Sequence, residues 1–260
     1  MNTVKIVSLA LVSTFVLFSC KNEEKSNLET NLENELALDE TTSVKEPIFT
    51  ETYLYVTASS GLSLREYANL QSEKLAVMPY GTRVKVISAE KNKTMKVGEL
   101  KGGMNEIEYN QKKGFAFNGF LSKYFPPEKG ISAKRYAEDL KTVFPEVIFT
   151  ETTGGTASKP TNSENLLLPN TTWNEAFYMA QQLFDFPKEF TFPSYKGKEL
   201  QVIKEKKFQK ETWQSELQVS RKNDTFSKIE YVYKNKGFSK KVTITKEKKG
   251  IKISKTELVM

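Results

Sequence analysis

The sequence predicts a mainly-β protein: a small, strongly bent barrel followed by an α+β unit in which an antiparallel meander packs on a helix. Three observations carry this expectation. Short apolar–polar alternations separated by Gly, Pro and Asn turns run from Tyr53 to Ser122, and again from Leu200 to Leu258. Helical spacing of apolar residues behind a capping residue is found in two stretches, beginning at Ser132 and Thr172. The chain has 17 Phe and 11 Tyr against 1 Cys, so its cores must be built from large apolar side chains and not from disulfides.

Residues 1–19 read as a signal peptide. Lys5 precedes thirteen mostly apolar residues, Ile6 to Phe18, a run shorter than the ~20 residues a membrane-spanning helix needs. The end of that run, Leu17-Phe18-Ser19-Cys20, resembles a bacterial lipobox, which implies that Cys20 is lipidated and becomes the new N-terminus. Each buried methylene contributes ~0.8 kcal/mol to membrane binding, so the acyl chains of a lipoprotein hold it without a transmembrane helix. Residues 20–50 are rich in Asn, Glu, Ser and Thr without hydrophobic periodicity and are expected to form a disordered linker. Within it, Lys21-Asn22-Glu23-Glu24 is similar to the lysine-then-acidic signal of some Bacteroidetes lipoproteins. That likeness implies a lipid-anchored protein of the cell envelope, in the outer membrane and displayed at the surface.

Residues 51–125 carry the first run of strands. Tyr53–Val56 is followed by a Ser59-Ser60-Gly61 turn, Leu62–Arg65, Lys74–Met78, a Pro79–Thr82 turn and the alternating Arg83–Ser88. Lys112-Lys113-Gly114 then opens Phe115–Phe117. In order, Leu62-Ser63-Leu64-Arg65, Tyr80-Gly81-Thr82-Arg83-Val84-Lys85-Val86 and Gly114-Phe115-Ala116-Phe117 through Leu121-Ser122 resemble a bacterial SH3 domain. The resemblance implies an SH3-like barrel that binds cell-wall peptide or a partner protein. Met95 and Phe115 stand where that family commonly carries tryptophan, which bears on any groove built from those rings.

Residues 126–260 form the expected α+β unit, in which no family resemblance is recognised. Pro126-Pro127 ends the preceding strands, Ser132 caps a helix over Ala133–Val143, and Pro145 stops it. Thr152–Asn165, with Gly154-Gly155 and Pro160, reads as an exposed loop. Thr172 and Glu175 have capping-box spacing before a helix that runs to Phe184. Strands are expected at Leu200–Ile203, Thr212–Ser220, Phe226–Tyr233, Phe238–Thr245 and Ile251–Leu258, joined by turns at Lys222-Asn223-Asp224, Asn235-Lys236-Gly237 and Lys248-Lys249-Gly250.

The chain contains 0 His. This excludes Ser-His-Asp and Cys-His nucleophiles, His-ligated zinc and imidazole acid–base chemistry. Paired carboxylates are scattered on lysine-rich strands and form no evident site, so the protein is read as a non-enzyme with no cofactor and no metal. The net charge of +7 is uneven: residues 21–50 hold three lysines and eight acids, residues 196–260 eighteen basic residues and eight acids. Behind a lipoprotein signal such a basic surface points away from nucleic acid, and the lysine-rich strands read first as a solvated, edge-protected sheet. The barrel's aromatics suggest a peptide site, with Tyr55, Arg65, Tyr67 and Tyr80 as its candidates. Phe117 and Phe120 are assigned to the core and Tyr67, in a polar loop, to the surface; Arg65 either meets a ligand carboxylate or pairs with Glu66 or Glu73. Trp173 and Trp213 are expected in the second core. The functional expectation is an envelope lipoprotein binding cell-wall peptide or a partner protein, with an inhibitor or immunity-type protein using its basic sheet as the alternative.

Overall fold

The computed structural model describes residues 51–207 and 210–259; the signal peptide, Cys20 and the 20–50 linker lie outside them. The first sheet is built from β1 (Thr52–Val56), β2 (Leu62–Arg65), β3 (Lys74–Met78), β4 (Arg83–Ser88), β7 (Met104–Tyr109), β8 (Lys112–Phe117) and β9 (Leu121–Ser122). Between β4 and β7 a separate hairpin forms from β5 (Met95–Val97) and β6 (Leu100–Gly102). The strand order is β3-β2-β8-β7-β4-β1-β9, antiparallel throughout. The mainly-β expectation holds, but the barrel does not close: β3 and β9 are its two edges and do not pair. β9 is only two residues long, and the chain soon reaches Pro126-Pro127, which have no N–H to extend a ladder.

β7 is an addition to the expected strands. Its hairpin to β8 turns through Asn110 and Gln111, both at positive φ (48° and 63°), a two-residue turn made without glycine. Met95 sits half-buried on β5, outside the seven-stranded sheet, and Phe115 half-buried on β8.

The α+β half follows the sequence closely. α1 (Ala133–Lys141) is capped by Ser132, whose Oγ accepts from the Arg135 N–H at 3.2 Å, and buries Tyr136 and Leu140. α2 (Trp173–Leu183) starts at Thr172, whose N–H donates to the Glu175 carboxylate at 2.8 Å. The second sheet runs β10-β11-β16-β15-β14-β13-β12, again antiparallel. Its strands are β10 (Ile148–Thr156), β11 (Lys159–Leu168), β12 (Leu200–Lys204), β13 (Thr212–Lys222), β14 (Thr225–Asn235), β15 (Phe238–Glu247) and β16 (Gly250–Val259). One face packs on α2 through β15 and β16, which bury Ile244 and Ile253, and Ile229 and Val219 continue the same buried row across β14 and β13.

Two expectations are corrected here. Thr152–Asn165 is not a loop but most of the β10–β11 hairpin. β10 is exposed along nearly its whole length, so neither face shows the apolar alternation by which strands are recognised, while Thr and Ser suit extended backbone. Gly155 lies at φ 82°, and a Cβ there would meet the Lys159 carbonyl oxygen at 2.2 Å, so glycine permits this tight reversal. Trp213 is not in the core but 66% exposed, because the β13–β14 register shifts between Thr212 and Gln214 and leaves it as the extra residue of a bulge. Trp173 is buried at 8% exposure, as expected.

The two sheets share one continuous apolar core. Tyrosines pin the segments between them: the Tyr124 hydroxyl donates to Pro169 O at 2.8 Å, Tyr136 to Phe125 O at 2.7 Å and Tyr80 to Pro127 O at 3.0 Å. Phe125 stands edge-on between Tyr55 and Tyr136, with ring centroids 5.9 and 5.8 Å away.

Candidate functional site: a cleft at the junction of the sheets

A cleft in two chambers lies at the junction, and Tyr80 lines both. The first chamber, about 410 Å³, lies between the β1–β2 loop, the Phe117–Phe120 turn and α2 with the segment that follows it. The second, about 660 Å³, continues past Tyr80 toward Phe125, Ile131 and Asp139. Ser59, Tyr80, Gln182 and Lys188 line both.

Local sequence explains why these groups converge. The β1–β2 loop is fixed by backbone bonds from Thr57 N–H to Phe120 O and from Gly61 N–H to Ala58 O, both 2.9 Å, which bring Ser59 and Ser60 to the cleft beside Ser63 of β2. Phe120 stands 6.4 Å, centroid to centroid, from Tyr178 of α2, and both are half-buried in the cleft wall. Beyond α2, Gln181 Nε2 donates to Pro187 O at 2.8 Å and to Phe190 O at 3.0 Å, folding that segment back so that Lys188 and Phe190 face the same space. Gly114 lets β8 approach β2: a Cβ would fall 2.6 Å from Arg65 O. Arg65 donates through Nη1 to Ser72 O at 2.6 Å, leaving the rest of its guanidinium fork for other acceptors.

Among the described residues the first chamber is lined by two cations, Arg65 and Lys188, and by no carboxylate. The second is mixed, with Glu128 and Asp139 beside Lys129 and Lys188. Burial raises the Tyr80 phenol to about 12, so it stays a neutral hydrogen-bonding group across the physiological range. Burial also raises Tyr178. Among the described residues no group of His, Cys, Asp or Glu could hold a metal ion, and no helix is long and apolar enough to cross a membrane. An aromatic floor, hydroxyl and amide walls and two cations can grip a ligand by stacking, hydrogen bonding and charge.

Of the four residues singled out from the sequence, the structure brings Arg65 and Tyr80 together in this cleft. Tyr55 is half-buried against Phe125 and Tyr67 is 60% exposed on its loop; neither lines the cleft. Arg65 pairs with neither Glu66 nor Glu73, because the 66–73 loop offers it the Ser72 carbonyl instead. Phe117 is in the core at 3% exposure, whereas Phe120 is half-buried at the cleft. The sequence reading missed Tyr178, Gln182, Lys188 and Phe190. Tyr178 follows Phe177 on α2, and an aromatic one position off a buried helical stripe is a usable signal of a ring at the margin of the core. This chain matches no family model, no curated protein and no solved structure.

Proposed function

We propose that this protein is a membrane-anchored envelope lipoprotein, tethered through Cys20, whose folded part is a binding module for cell-wall peptide. The observation that carries this reading is the cleft beside Tyr80. Among the described residues its first chamber is lined by aromatic rings, three serines and two cations without a carboxylate, which suits a short peptide bearing a carboxylate. The likeness of residues 51–125 to bacterial SH3 domains supports the same ligand class. The basic-sheet alternative has less support in the middle of the sheet, where four lysines are taken up locally. Lys228 and Lys241 reach Glu230 at 3.4 and 3.7 Å, Lys252 reaches Glu247 at 2.7 Å, and Lys255 reaches Glu164 at 3.2 Å.

Co-sedimentation with purified peptidoglycan sacculi tests the ligand. The wild type should sediment with sacculi, and an Arg65→Ala, Tyr178→Ala double variant should lose about tenfold in affinity. Equal binding by that variant, or none by the wild type at low and moderate salt, would reject the cleft. Cys20→Ser tests the tether separately: it should release the protein from membranes and abolish labelling by fatty acid, and continued labelling would reject the anchor.

A further inference from the structure

The far edge of the second sheet carries a different kind of site. The Arg221 N–H donates to Glu199 O at 2.7 Å and the Glu205 N–H to Ser215 O at 2.9 Å. Hydrogen-bonded pairs alternate along an antiparallel ladder, so Gln201 and Ile203 complete the pairing of β12 with β13. The backbone N–H and C=O groups of Leu200, Val202 and Lys204 therefore point to the open side. Among the described residues no backbone or side-chain group pairs with them. Leu200 and Val202, 61% and 47% exposed, stand on one face of this edge, and the half-buried Ile203 on the other.

An exposed edge alone is an unfinished sheet, but this one has a wall. A cavity of about 610 Å³ runs between β12 and the 191–198 segment. Arg221, 5% exposed, clamps that wall: Nε and Nη2 donate to Ser194 O at 3.0 and 2.7 Å, and Nη1 to Lys198 O at 3.1 Å. Nη2 also donates to Gln201 Oε1 on β12 itself at 2.9 Å, which fixes the wall against the edge. Lys196, Lys198 and Lys204 enter no ion pair among the described residues, and Glu99, the carboxylate lining the cavity, is held by Lys96 at 3.1 Å. The opposite edge, β10, has no apolar side chains beyond Ile148 and Phe149.

We propose that β12 is an acceptor edge that takes an extended, acidic segment of a partner protein as an additional strand, with apolar side chains of that segment seated beside Leu200 and Val202. Main-chain hydrogen bonds would supply affinity, and the alternate apolar contacts and lysines the selectivity. A second copy fits less well. Antiparallel self-pairing about Val202 sets each Lys204 against the other copy's Leu200 and brings two lysine-bearing walls together.

The test uses the full chain and a short, blocked, fluorescent peptide of alternating valine and glutamate, followed by anisotropy. Saturable binding is expected, weakened about tenfold or more when alternate peptide nitrogens are methylated. Val202→Pro should cause a similar loss, and because the Val202 N–H lies outside the ladder with β13, circular dichroism and melting should change little. The Lys196→Glu, Lys198→Glu pair should weaken binding several-fold at low salt and less at high salt. No saturation by about 1 mM, equal binding of the methylated peptide or of a valine–lysine peptide, or unchanged binding by Val202→Pro would each overturn the proposal. A concentration-dependent dimer abolished by Val202→Pro would replace it with a second copy as the occupant.

Discussion

The two seven-stranded sheets solve the same problem with different materials. Strands of the first are two to six residues long, and its connections include the 57–61 and 66–73 loops and the β5–β6 hairpin. Apart from the five-residue β12, strands of the second run nine to eleven residues, and most are joined by short turns such as Asn223-Asp224, both at φ near 50°. Short strands leave much of the chain in loops, and the cleft is built where those loops meet α2. Long strands close their own hydrogen bonds and leave chemistry to the margins, where β12 lies. Binding surface and rigidity are thus divided between the sheets, and one apolar core couples them.

The sharpest way to break this comparison is at that core. Phe177 is fully buried and lies 5.4 to 5.7 Å, ring to ring, from Tyr178, Phe186 and Phe192. Phe177→Ala should cost about 3–5 kcal/mol and lower a single urea transition followed by both fluorescence and far-UV dichroism. Two separated transitions would show that the sheets unfold independently.

The arginines come next. Arg221→Met leaves the carbonyls of Ser194 and Lys198 without their donor and should cost about 2–3 kcal/mol by chemical denaturation. Arg65→Met, which removes a bond to one loop carbonyl in the short-stranded sheet, should cost about 1 kcal/mol or less. Comparable losses would erase the distinction between a structural and a cleft arginine. At the helix that bridges the sheets, Glu175→Ala removes an acceptor of the Thr172 N–H and should lower stability by about 1 kcal/mol.

The last effect appears only in alkali. Burial raises the phenols of Tyr80 and Tyr231, one associated with each sheet, to about 12 from an unfolded value of 10.0. Because the folded pKa is the higher, the stability linked to each phenol is fully present below pH 10 and is lost as pH rises through about 12. Tyr80→Phe and Tyr231→Phe should each flatten the fall in melting temperature over that window, and absorbance at the phenolate band should show late-ionising groups lost one at a time. An unchanged slope in either variant would remove that phenol from the account.

What was legible in the sequence follows the same division. Period-two alternation ending in turn residues marks β13 to β16 within a few residues, because one face of each carries the apolar residues of the core. β10 escapes that signal because it is exposed along nearly its whole length, the outer half of β11 because its residues are not apolar on either face, and β7 because its turn reaches positive φ through Asn110-Gln111 without a glycine. The cleft was half legible. Arg65 and Tyr80 stand out in a local strand-and-turn pattern, whereas Tyr178 and Lys188 arrive from a helix and loop far along the chain, a juxtaposition no local pattern encodes. Trp213 was misassigned because a bulge reverses the side on which its ring emerges.

The position of β16 has a consequence for how the molecule is made. β16 lies between β15 and β11, and its Ser254 side chain bonds that of Asn165 across 89 residues of chain. During synthesis from the N-terminus, the β10–β11 hairpin is therefore complete while one whole side of β11 still lacks its partner, with Leu166 and Leu168 uncovered. That side is an open template for wrong pairing until β14, β15 and β16 have all emerged. The interval of greatest aggregation risk belongs to the nascent chain, and loss of the 250–259 segment would recreate it permanently by detaching the hairpin from the rest of the sheet.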